Sequence, residues 1–161
     1  MKKILMTICL VFSLLMATLT SNAQSSTPYA LSVTGGYSWL SGVVGAEIQV
    51  GQFGFSGGWM PTSMPMSGEK LNSVGFAATL YSGPPTDPST FYASFGIASD
   101  GYRYEDSNGY GEVLPMSIIM VGSKYDSGGV FFKAGAGYGW CEIGGAFTFE
   151  LTLGFSLFKN Y

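Results

Sequence analysis

The chain has 161 residues, with 7 Lys+Arg against 10 Asp+Glu, no histidine, 11% charged and 16% aromatic residues. An acidic chain with so few cations argues against a nucleic-acid partner, and without histidine the usual triads and histidine–metal centres cannot be built. Charge this sparse suits a water-exposed surface poorly, where about a quarter of residues are normally charged.

The first 23 residues have the layout of a cleaved signal peptide. Lys2 and Lys3 are the basic segment, Ile4 to Leu19 the apolar core, and Ser21-Asn22-Ala23 the small-residue cleavage site. The expected organisation is a signal peptide at 1–23 and one domain at 24–161. Removing Lys2 and Lys3 leaves 5 cations against 10 anions, a net charge of −5. Cys141 is then the single cysteine, too few for an internal disulfide, and is expected to be a small packed or interfacial residue.

Beyond Pro28 the pattern has period two almost throughout, the signature of strands with two unlike faces. Strand one is predicted over Tyr29 to Trp39, with Ser41-Gly42 as a turn. Strand two covers Val43 to Gly51 and sets Val44, Ala46, Ile48 and Val50 opposite Gly45, Glu47 and Gln49. Gly51-Gln52 turns into strand three, Phe53 to Met60. Residues 61–71 are expected to be a long loop, with Met60, Met64 and Met66 as packing residues. Strand four is Asn72 to Ser82, followed by the Pro-rich turn at 83–88. Strand five is Thr90 to Ser99. Residues 100–112 are expected to form the second long loop.

Strand six, Val113 to Lys124, has apolar residues on both parities, so its facing is open. Asp126 to Gly129 turns the chain. Strand seven, Val130 to Trp140, sets Phe132, Ala134, Ala136, Tyr138 and Trp140 opposite Lys133, Gly135, Gly137 and Gly139. The last strand begins at Gly145. Phe147, Phe149, Leu151, Leu153, Phe155 and Leu157 share one face, and Thr148, Glu150, Thr152, Gly154 and Ser156 the other. Lys159 breaks the pattern and is expected at a water boundary, where its long stem can snorkel. This run exceeds the ~5–6 residues of an ordinary strand and suits a tilted membrane crossing of about 9–11.

Eight such strands predict an all-β fold, an eight-stranded antiparallel up-and-down transmembrane β-barrel. The polar parity is mostly Gly, Ser, Thr and Ala, which fits a narrow interior better than a solvated surface. The apolar parity carries large aromatics that suit lipid, with Tyr29, Tyr37, Trp39, Trp59, Tyr138 and Trp140 placed for interfacial girdles. With the N-terminus in the periplasm, the two longest connections fall outside. A strand alternating to a terminal aromatic resembles the assembly signal of outer-membrane barrels. In architecture the chain resembles the small eight-stranded OmpA/OmpX-type proteins. The resemblance implies a place in the cell outer membrane, surrounded by outer-membrane lipid, and delivery to the barrel-assembly machinery through the last strand; a monomer without a cofactor is expected.

Three charges fall on the inward parity: Glu47, Lys133 and Glu150. Charges at membrane depth must pair or meet water, so a carboxylate–ammonium cluster is expected there, structural or gating. Interior networks of this kind are what the OmpA-type resemblance implies. Asp100, Glu105, Asp106 and Glu112 gather in the second long loop and are expected to be solvated, with divalent-cation binding the weaker reading. No Gly-x-Ser-x-Gly elbow, Cys/His metal pattern or phosphate loop is present, so no enzyme is expected. The expected role is structural or surface-interacting, without a large porin-like channel. The alternatives are a secreted soluble calycin-like barrel holding a small apolar ligand, or a narrow ion or water pore.

Overall fold

The computed structural model describes residues 27–63, 70–105, 111–142 and 144–160, with 61–63, 70–72, 100–105 and 111–114 described by their backbone alone. The signal-peptide segment, Met64 and Met66 lie outside these residues. The strands are β1 (Tyr29–Tyr37), β2 (Val44–Val50), β3 (Phe53–Ser63), β4 (Lys70–Tyr81), β5 (Ser89–Glu105), β6 (Gly111–Ser127), β7 (Val130–Cys141) and β8 (Gly144–Asn160). Each pairs antiparallel with the next, and β8 returns to β1, closing the barrel. Pairing from Tyr29 runs through Val50, Phe53, Leu80, Ala93, Val121 and Ala136 to Phe149. Phe149 lies beyond Leu151, the partner of Tyr37, so the circuit ends past the top of β1 and the strands are strongly tilted.

The two parities of each strand divide as their residue types require. Phe53, Phe55, Phe76, Leu80, Phe91, Phe95, Leu151, Leu153 and Phe155 point outward and are exposed. Ser32, Thr34, Glu47, Gln49, Thr79, Ser94, Lys133, Glu150 and Thr152 point inward and are buried. On β6, Met116, Ile118 and Met120 face in, while Ile119 and Val121 face out. Both of its parities are apolar because its inward face meets an apolar layer inside the barrel. That layer joins Leu40, Ala77, Tyr81, Tyr92, Ala98, Met116, Ile118 and Met120.

Leu40 reaches this layer because β1 stops at Tyr37, two residues earlier than predicted. Residues 38–43 fold into the barrel mouth and are more than a turn. The Ser38 Oγ accepts hydrogen bonds from the Leu40 and Ser41 amides, both at 3.2 Å, and Gly42 N donates to Ser38 O at 2.8 Å. Ser38, Leu40 and Ser41 are all buried. Inward glycines make the space. A Cβ at Gly58 would strike the Ser41 carbonyl oxygen, and one at Gly75 that of Trp39. Trp39 therefore packs half-buried against the interior layer and leaves the predicted girdle. Tyr29, Tyr37, Trp59, Tyr138 and Trp140 remain exposed on the outside.

The predicted long loops are shorter than their composition suggests. β3 runs on to Ser63 and β4 begins at Lys70. β5 and β6 continue as a ribbon in which Tyr102, Arg103, Tyr104 and Glu105 pair with Leu114, Val113, Glu112 and Gly111. Residues 100–105 and 111–112 are therefore strand and not loop. Aromatic and β-branched residues favour the extended state even among polar neighbours. The ladder is irregular between Ala98 and Tyr102, where Pro115, which has no amide hydrogen, lies opposite.

The misfit of Lys159 has a local cause. Leu31 pairs with Phe158 and Ser32 with Ser156, so Leu157 is an unopposed bulge residue. One extra residue flips the parity beyond it. Lys159 is thereby turned toward the interior and forms an ion pair with Asp126 at 3.2 Å. It is not the snorkelling residue that uninterrupted alternation predicts.

The 38–43 connection is held against glycine, so Gly75→Ala should lower the thermal midpoint in detergent by several degrees, consistent with an overpacking cost of about 1–3 kcal/mol. An unchanged midpoint would show that the connection does not depend on close approach to β4.

Candidate functional site

Period-two geometry aims Glu47 of β2, Lys133 of β7 and Glu150 of β8 into the lumen. Closure of the barrel then places them together. Lys133 Nζ lies 2.9 Å from Glu47 Oε2 and 3.9 Å from Glu150 Oε1. Lys124 of β6 completes the group, with Nζ at 3.2 Å from Glu47 Oε1. It was missed because the facing of β6 could not be fixed from residue types. The available signal was its even spacing from Met116, Ile118 and Met120.

Two carboxylates and two ammonium groups make this central cluster neutral. Each of the four residues is at least nine-tenths buried. Isolated ions would be costly there, so pairing and hydrogen bonding must offset lost hydration. Glu150 accepts from the Tyr92 hydroxyl at 2.7 Å, the Ser41 hydroxyl at 3.1 Å and the Thr152 hydroxyl at 3.2 Å. Lys124 donates to Gln49 Oε1 at 2.9 Å, and Gln49 Nε2 donates to the Gly51 and Gly83 carbonyls. Aromatic faces complete the cationic surroundings. Lys124 Nζ lies 4.3 Å from the Phe131 ring centre and Lys133 Nζ 4.6 Å from that of Tyr92.

The lumen is filled from both walls. A Cβ at Gly122 or Gly135 would meet the Tyr92 hydroxyl, and one at Gly154 would meet the Phe131 ring. The glycines that suggest an open path are the recesses for these side chains. Toward the chain termini the Asp126–Lys159 pair adds a further contact, and Asp126 also accepts the Gly129 amide at 3.2 Å. Lys133 is engaged with Glu47, and the Ser41 hydroxyl is directed at Glu150. The geometry is that of an electrostatic plug, with its tip supplied by the 38–43 connection.

The backbone places the loop carboxylates on the β5–β6 ribbon. Asp100 and Glu105 lie on β5 and Glu112 on β6, with Glu112 paired to Tyr104, while Asp106 lies outside the described residues. Cys141 is half-buried at the end of β7 and its thiol faces the Gly144 carbonyl at 3.5 Å.

Lys133→Met leaves Glu150 without its ammonium neighbour and weakens the hold on Glu47. A loss of about 3 kcal/mol is expected from breaking such a buried pair, read as reduced thermal and SDS resistance. Adding Glu150→Gln should recover part of it. No loss in the single variant would sink the network reading. In comparisons with known proteins, the chain matches no family model, no curated protein and no solved structure.

Proposed function

We propose that the chain is a monomeric, non-enzymatic barrel of the bacterial outer membrane, with a structural or surface-interaction role. The observation that carries this reading is the inversion of the two faces. The exterior holds large apolar side chains on all eight strands, and the interior holds the buried charges and hydroxyls. Exposed apolar surface of this extent exceeds the few hundred Å² usual on a soluble monomer. Lipid is the solvent that would favour it. A calycin-like barrel needs the reverse, an apolar cavity behind a polar skin.

The other supports are local. Tyr29 lies near one rim, and Tyr37, Trp59, Tyr138 and Trp140 lie near the other, as interfacial aromatics do. The signal-peptide pattern supplies a route to the envelope. The interior plug favours a static barrel over a pore. Function then falls to the surface beyond the membrane, where β5, β6 and β8 are each 17 residues long, against 9 and 7 for β1 and β2.

Unboiled protein from the membrane fraction should migrate differently from boiled protein on SDS gels and should fractionate with the outer membrane. Recovery in the soluble fraction, without a shift, would reverse the assignment of the faces. In planar bilayers the folded protein should give no conductance steps. Regular single-channel openings would favour the pore alternative.

A further inference from the structure

The wall of the barrel has uneven height. β8 pairs with β1 no further than Leu151–Tyr37, yet β8 continues upward to Gly144. The chain that would have extended β1 instead turns inward as the 38–43 connection. A notch therefore opens in the rim above the short β1–β2 hairpin, bounded by β8 on one side and β3 on the other.

The two sides of the notch differ in backbone chemistry. The Ser156 amide donates to Gly129 O, so even-numbered residues of β8 before the bulge aim their N–H and C=O groups at β7. The odd-numbered ones aim at β1. Gly145, Phe147 and Phe149 thus present backbone donors and acceptors to the notch, where no β1 residue pairs with them. On the other side, Trp59 O accepts from Val43 N, which puts Pro61 on the notch-facing parity. Proline has no N–H, so the β3 edge is blunted against further pairing. The β8 edge carries no such protection. Phe147 stands beside it at 91% exposure, while Phe149, stacked on Tyr37 at 4.8 Å, is 53% exposed.

We propose that the Gly145–Phe149 edge of β8 binds an extended polypeptide segment by strand addition. This deepens the surface-interaction role proposed above and rests on it. The occupant follows from the edge: three alternating residues with paired N–H and C=O groups are matched by another extended backbone, and by little else. Its outward side chains would lie beside Phe147 and Phe149 and be apolar. Its inward ones would lie beside Ala146 and Thr148 and be small or polar. Pro61 limits the addition to one strand, on the β8 side.

The test uses the full folded protein in detergent and a fluorescent, end-blocked peptide of alternating Thr and Val. The peptide should slow hydrogen exchange at the amides of Gly145, Phe147 and Phe149. Phe147→Pro removes one notch-facing N–H without touching the β7 ladder. It should weaken peptide binding at least tenfold while cold SDS resistance is kept. Phe147→Lys, which places a charge at the edge, should do the same and serves if the proline variant does not fold. Absence of peptide protection, or binding unchanged in the folded variants, would overturn the proposal. So would a dimer in sedimentation that Phe147→Pro disperses, since the occupant would then be a second copy. A protein that is soluble without detergent and lacks the heat shift would instead remove the membrane reading, with the same exchange measurement in buffer still deciding the edge.

Discussion

An eight-stranded barrel has so little internal volume that each inward side chain is packed by the opposite wall. This constraint governs the rest of the molecule. Tyr92 requires glycine at positions 122 and 135, Phe131 requires glycine at 154, and the 38–43 connection requires glycine at 58 and 75. The high glycine content is thus one half of a complementary set, whose other half is two aromatic rings and a stretch of backbone. The same lack of space brings charges from β2, β6, β7 and β8 within contact distance. Burial withdraws these charges from bulk water, and their neutrality is built from side chains.

Much of this architecture is legible in the sequence, because a closed sheet has only two faces and period two assigns residues to them. All eight strands follow from that rule, their order from the short connections between them, and the division of residues between the two faces for seven of the eight. The proposal of lipid rather than water outside rests on residue type: Phe and Leu on one parity, Gly, Ser and Thr on the other. Glu47, Lys133 and Glu150 could be placed together because parity puts them inside and closure puts their strands near one another.

What escaped the sequence has a physical reason in each case. The bulge at Leu157 is a single-residue change of register, and nothing in the identity of Leu157 announces it. Lys159 gave the hint as a charge on the wrong parity, but snorkelling accounts for that equally well. Ser38 to Val43 contains no residue that distinguishes an inward fold from a surface turn. The distinction lies in glycines 58 and 75, far along the chain. The facing of β6 was obscured because the interior has an apolar layer as well as a polar one. Tyr102 and Tyr104 extend β5 through a segment whose overall polarity suggests a loop.

The cluster also bears on how such a chain reaches its closed form. Glu47 and Lys133 are 86 residues apart, and Glu47 and Lys124 are 77 apart. No hairpin formed from adjacent strands contains either pair. A sheet that lacks β2 leaves Lys124 without Glu47 and Lys133 with Glu150 alone, so the full set of pairs forms only when early and late strands meet. The closed barrel is the arrangement that brings both ammonium groups to Glu47. The charges act as a seam whose pairs are complete only once the barrel is shut.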